Sequence, residues 1–314
     1  MAKPPTNRLV DLPPALAAVL GLLAAVGTAG CSVNRFAINR IGDSLARSGT
    51  TYAADDDPDL VGQALPFTLK LVEGLLAESP ERPSLLFLAA SGFTEYAHAY
   101  VLQDADLAQK HDLERASALR DRARRLFLRG RNYGMRGLGV RMRGFSEQLR
   151  RDPAAAVRLA RVSDVPLLYW TAAAWGSAIS LSKDNAALIA DQRIVEALID
   201  RAGELQPDFD SGAIDGFLIV YEMARSGAPG DPAARARMHF DRAVALSQGQ
   251  LASPFVSLAE AVSVQNQNRA EFASLLDRAL AIDPDARPEW RLRNLVAQRR
   301  ARWLLATADD LFTE

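Results

Sequence analysis

The chain is poor in the residues that ligate metals or staple small folds: it has one cysteine, Cys31, and three histidines, His98, His111 and His239, in 314 residues. A single cysteine excludes an internal disulfide framework, so packing has to hold the fold. The histidines are too scattered for a local metal pair, and Glu95-x-x-His98, which matches half of a di-iron helical motif, has no second Glu-x-x-His to complete it. Asp55, Asp57 and Asp59 mimic the opening of a calcium loop, but Leu60 replaces the required glycine and Pro66 the bidentate glutamate, so a capped helix start accounts for them. The glycines between Gly130 and Gly144 lack a following Lys-Ser/Thr pair and any preceding strand, which excludes a phosphate loop. No Gly-x-Ser-x-Gly is present either. The reading is of a non-enzyme with no catalytic residues, no metal and no cofactor.

Period-two alternation and β-branched runs are also scarce, while alanine, leucine and arginine dominate, which favours helix throughout. One further apolar run, VPLLYWTAAAWGSAISL at 165–181, is short for a membrane span and contains Pro166, Thr171 and Gly176; it reads as a buried central helix.

What the chain does have is a signal-like start. Lys3 and Arg8 make a positive n-region, residues 15–27 an apolar h-region too short to span a bilayer, and Ala29-Gly30 the small residues a peptidase needs before Cys31. Thr28 and Asp11 depart from the usual pattern of such a signal. The expectation is a lipoprotein signal peptide over residues 1–30, lipidation at Cys31, and one α-helical domain over 31–314. Cleavage removes Lys3, Arg8 and Asp11, leaving 35 of the 37 basic and 37 of the 38 acidic side chains. Ser32, not being aspartate, favours a periplasmic protein sorted onward to the outer membrane.

The mature chain divides at regular punctuation. Asp57-Pro58 launches a helix to about Glu78, Ser79-Pro80 stops it, a second helix runs from Ser84 to about Leu102, and a third from Leu107 to about Gly130, where Gly134, Gly137 and Gly139 break the pattern. Val72/Leu75/Pro80, Ile199/Ala202/Pro207 and Leu276/Ala279/Pro284 repeat one spacing, apolar, then small or apolar, then proline. Tetratricopeptide repeats end their second helix in this way, because a small residue lets helices approach and proline ends the helix. The fold class expected is all-α, an irregular α-solenoid of tetratricopeptide-like antiparallel helix pairs.

With the helices placed, the chain resembles the T components of TRAP-type transporters (the TatT family). The resemblance lies in Gly30-Cys31-Ser32-Val33-Asn34-Arg35-Phe36, the Asp55-Asp56-Asp57-Pro58 step, Gly92-Phe93-Thr94-Glu95-Tyr96-Ala97, Tyr169-Trp170-Thr171-Ala172-Ala173-Ala174-Trp175-Gly176, His239-Phe240-Asp241-Arg242-Ala243, and the segment Arg291 to Leu305. It implies tetratricopeptide-like helix pairs, a homotrimer, and docking of the solute-binding P subunit near a cleft or pore. A general tetratricopeptide-like scaffold lipoprotein for envelope assembly is the alternative.

Three surface features are candidates for partner binding. Residues 110–151 carry 13 basic and four acidic side chains, and Arg120, Arg124, Arg131 and Arg136 are the candidate basic surface, for an acidic partner or anionic headgroups. Nucleic acid is not expected as a partner of an exported lipoprotein. Tyr169, Trp170 and Trp175 are candidate cleft-lining aromatics, although tryptophans five apart do not share a helical face. Asn294, Gln298 and Arg302 recur every four residues as a polar stripe, solvated or facing a partner.

Overall fold

The first long helix begins where its cap residue predicts. The computed structural model describes residues 49–225 and 227–313, so Cys31 and the resemblance at Gly30–Phe36 lie outside the described residues. Helix α1 (Pro58–Glu78) starts on Asp57, whose carboxylate accepts from the backbone N–H of Asp59 (3.0 Å) and Leu60 (2.9 Å). It ends ahead of Pro80, with the Ser79 N–H returned to the Leu75 carbonyl at 2.9 Å. Val61, Leu69, Val72 and Leu76 face inward, whereas Leu60, Phe67 and Leu71 stay exposed, Phe67 at 75%. Among the described residues α1 is the one helix long and apolar enough to cross a membrane; its buried residues join a core shared with the next helices.

Helix α2 (Pro83–Tyr96) widens into a π-helical turn at Ala97–Leu102 and continues as Gln103–Ala108. Helix α3 is Leu113–Arg141, capped by Asp112. It corrects the expectation of a break at the glycines, because it runs unbroken through Gly130, Gly134, Gly137 and Gly139. Three of these are contact points. A Cβ on Gly130 would lie 2.7 Å from Thr94 Oγ1, on Gly134 2.1 Å from Thr171 Oγ1, and on Gly137 2.9 Å from Leu167 Cδ1. Their bare backbone lets α3 sit between α2 on one side and α4 (Val165–Ser180) on the other.

Helix α4 is buried along most of its length, as its composition predicts, with Leu168, Thr171, Ala172 and Ala174 fully enclosed. It packs on α5 (Gln192–Leu205), which ends before Pro207 with Ile199 and Ala202 buried. After a turn at 209–212 come α6 (Ala213–Tyr221), α7 (Pro232–Leu246), a short helix Ser253–Leu258 that opens into a second π-helical turn at Ala259–Ser263, α8 (Arg269–Leu280) and α9 (Arg291–Ala306). From α7 onward, with Ile219 of α6, the apolar faces form a second core around Phe240, Phe255, Phe272 and Leu276, while Ile214, Leu218 and Tyr221 of α6 join the core of the preceding helices. No strand occurs among the described residues. The fold is all-α.

An ionic cluster joins the two halves. Glu222, buried to 3%, accepts from Arg235 (2.5 Å) and Arg225 (3.0 Å), and Arg225 also reaches Asp200 on α5 at 2.7 Å. Burial raises the Glu222 carboxyl, but the hydrogen bonds and charges of the two arginines outweigh it and hold the group below its ordinary value.

The last long helix then returns to the first. Arg299 pairs with Asp59 at 2.7 Å, across 240 residues of sequence. Arg291 donates to the Ala54 carbonyl at 2.9 Å, Arg300 reaches Asp106 at 2.7 Å, and Lys110 pairs with Asp310. The chain therefore closes on itself, with α9 forming the seam against α1 and the Gln103–Ala108 helix.

Candidate functional site

The closure gathers side chains that reach solvent and yet have protein close around them. Glu95, on α2, and His98, in the first π-helical turn, are both exposed. Enough protein nevertheless surrounds them that burial raises the Glu95 carboxyl above its ordinary value and lowers the His98 imidazole. Exposed groups on a convex surface are not desolvated in this way. These two therefore sit in a recess of the surface beside the seam.

Glu95 senses Arg293 of α9 and Asp210 in the turn before α6. Arg293 donates to Asp210 Oδ2 at 2.6 Å, and Asp210 holds a left-handed conformation (φ 44°) that aspartate tolerates better than most residues. Burial lowers the Arg293 guanidinium, and the Asp210 carboxylate, followed by Glu95 and Tyr169, more than offsets it and leaves it raised. Tyr169 of α4 belongs to the same group; burial pushes its phenol well above the ordinary value.

His98 senses Glu260, Arg300 and Asp106. Glu260 lies in the second π-helical turn and pairs with Arg300, which also holds Asp106, so one arginine of the seam joins the second widened turn to the helix that follows the first. Such turns alter the direction of the side chains they carry and are common at functional positions. The recess thus brings together carboxylates, arginines, a histidine and a tyrosine from both halves of the chain, a composition suited to holding a polar group.

Replacing Glu95 by glutamine tests that environment. A carboxyl whose pKa is raised by folding contributes stability fully present below its unfolded value and lost as pH rises through the folded value. Glu95→Gln is expected to raise Tm at pH 8, well above the ordinary carboxyl range, where the wild-type group costs stability whether it stays charged or takes up a proton on folding, and to change Tm much less at pH 4, below that range. Thermal melts followed by circular dichroism at the two pH values check this; an equal shift at both would show that Glu95 is an ordinary surface residue.

A family model described as TRAP transporter T-component matches residues 54–312, which includes every element from α1 to α9. The chain belongs to the TRAP transporter T-component family. An uncharacterized protein of Treponema pallidum (strain Nichols) is 29% identical over 305 residues, covering 91% of this chain and 94% of its own length. The T-component match spans both halves of the chain.

The T-component structure places the candidate residues unequally. Tyr169 belongs to the recess and packs against Trp170 (ring centroids 5.0 Å apart) and Phe209 (5.4 Å). Trp175 is buried at 7% and faces elsewhere, into a separate cavity with Arg131. Asn294 and Gln298 correct the expectation of a solvated stripe, being 2% and 3% exposed. Asn294 accepts from the Ala252 N–H (2.9 Å) and donates to the Gln250 carbonyl (3.0 Å); Gln298 donates to the Ala279 (3.1 Å) and Ile282 (2.7 Å) carbonyls past the end of α8. These amides satisfy backbone groups that would otherwise be buried unpaired. Of the three stripe residues, Arg302 alone is exposed.

The basic surface is also divided. Arg120 binds Asp106 at 3.1 Å beside the seam, Arg136 donates to the Pro80 carbonyl at 2.8 Å, and Arg131 is partly buried over Trp175. Arg124 keeps only a 3.5 Å contact to Asp121 on its own helix. Arg293 and Arg300 were not singled out from the sequence, although both lie in the Arg291 to Leu305 segment that carries the family resemblance.

Proposed function

We propose that this T component is a lipid-anchored periplasmic accessory protein that docks the solute-binding P subunit at the recess beside its seam. Family membership supplies the transport role, and the observation that carries the docking reading is the recessed polar group of Glu95, His98, Tyr169 and Arg293, drawn from both halves of the chain. The signal-like segment ending at Cys31 supports the anchor, at the outer membrane by the identity of Ser32. The repeated apolar, small, proline spacing, with α1, α5 and α8 each ending just before its proline, supports tetratricopeptide-like pairs in an irregular solenoid. Homo-oligomerisation, a trimer by family resemblance, is supported by the apolar face of α1 (Leu60, Phe67, Leu71), which no described element covers.

Surface plasmon resonance with the P subunit of the same organism tests the docking. Saturable binding is expected, with association faster at low salt. Arg124→Glu, which alters the least engaged arginine of the basic surface, should slow association and flatten its salt dependence while leaving helicity intact. Absence of any complex at tens of micromolar P subunit, on the scale of weak but specific interfaces, would refute the docking.

A further inference from the structure

A cavity lies away from the Glu95 and His98 recess, between α3, α4, the start of α5 and the Phe145–Arg151 helix, with a volume of about 320 Å³. That is roughly ten times the space one water occupies in the liquid, and at the small end of ligand sites. Its walls combine two kinds of surface. Met135, Leu149 and Ile194 are apolar, the last two buried, and the Trp175 ring adds an aromatic face.

The charges in the same cavity do not balance. The Arg131 guanidinium lies over the Trp175 ring, 4.8 Å from its centroid, and spends Nε and Nη2 on one neighbouring amide oxygen, Asn132 Oδ1, at 3.1 and 2.9 Å. It makes no ion pair among the described residues, and neither does Arg150, the other arginine of the wall. Asp191 is the one carboxylate lining the cavity; it approaches Arg131 closely enough to be felt, but not as a salt bridge. Two guanidiniums against one carboxylate leave a net charge of one positive. An unpaired, partly buried guanidinium beside apolar surface is costly unless a ligand completes it. In keeping with this, burial lowers the Arg131 pKa, Asp191 opposes the shift and Arg150 adds to it.

We infer that this cavity binds a small organic anion with one charged head and a short apolar body, the head meeting Arg131 and Arg150 and the body lying along Trp175, Leu149 and Ile194. The inference is independent of P-subunit docking, since the cavity neither belongs to that recess nor contains Arg124.

Isothermal titration of the purified protein with hexanoate tests it, with hexan-1-ol and hexylamine as probes of equal length and different charge, and inorganic phosphate as an anion without a body. Hexanoate is expected to bind at least ~10-fold more tightly than the other three, the ratio typical of a hydrogen-bonded charge pair. Arg131→Gln should weaken hexanoate by ~10-fold or more, Arg150→Gln by a few-fold because it is exposed, and Asp191→Asn should tighten it by removing the competing charge. Arg150→Gln and Asp191→Asn keep the test intact if Arg131→Gln does not fold. Hexanoate no tighter than hexan-1-ol, phosphate equal to hexanoate, or affinity unmoved by both Arg150→Gln and Asp191→Asn would overturn the inference.

Discussion

Gly134→Ala is expected to cost about 3 kcal/mol, the upper end of what overpacking costs, even though alanine is the better helix former by ~1 kcal/mol. The added Cβ would lie 2.1 Å from Thr171 Oγ1, 3.1 Å from its Cβ and 3.4 Å from its Cα. Thr171 cannot easily turn away. It is fully buried, and its hydroxyl donates to the Leu167 carbonyl at 2.5 Å. The strain therefore has to be relieved by moving α3 and α4 apart, which loosens the core built around Leu138, Leu168 and Trp175. Gly139→Ala is the matched control on the same helix, because nothing lies within 4 Å of its Cβ position. There the propensity gain stands alone, and a stabilisation of roughly 0.5–1 kcal/mol is expected. Urea melts of the two variants should shift in opposite directions; a Gly134→Ala midpoint equal to wild type would mean that the two helices are not in the contact described.

That pair of glycines also shows what could be read in the sequence. The ends of α1, α5 and α8 were legible because a capping aspartate or a following proline acts locally, whatever the rest of the fold does. The glycines of α3 were not, because glycine lowers helix propensity and also permits close helix crossing, and only the neighbouring helix decides between the two. Asn294 and Gln298 failed for a related reason. Four-residue spacing places them on one face of α9, but the direction of that face is set by the Ala252 and Ala279 backbone groups it must satisfy. The Glu95-x-x-His98 pattern was visible; what the sequence could not give was its surroundings. Arg293 and Arg300 come near Glu95 and Asp106 only when α9 closes on the N-terminal helices, and an approach across some 200 residues has no local signature.

Arg300→Glu is expected to open that closure. Arg300 is 16% exposed and holds Asp106 of the N-terminal half together with Glu260 of the second π-helical turn, while its guanidinium also covers the Trp303 ring at 4.3 Å. Removing one member of a well-buried ion pair costs ~3–5 kcal/mol, and the partial exposure of Asp106 (26%) and Glu260 (42%) reduces that to about 2 kcal/mol here. Reversal adds repulsion among three carboxylates at one point. Arg299→Glu is the contrasting change in the same seam: Arg299 and Asp59 are 42% and 76% exposed, so their pair is worth less than ~1 kcal/mol. Each half retains its own apolar core, so the loss should be local. Hydrogen exchange is expected to accelerate in the Gln103–Ala108 helix and in α9 of Arg300→Glu, with α3 and α4 protected as in wild type, and the scattering radius of gyration should rise. Arg299→Glu should leave exchange nearly unchanged. Equal exchange in the two variants would remove Arg300 as the residue that holds the seam shut. Faster exchange through α3 and α4 as well would show that the halves unfold together and that the seam cannot open without loss of the fold.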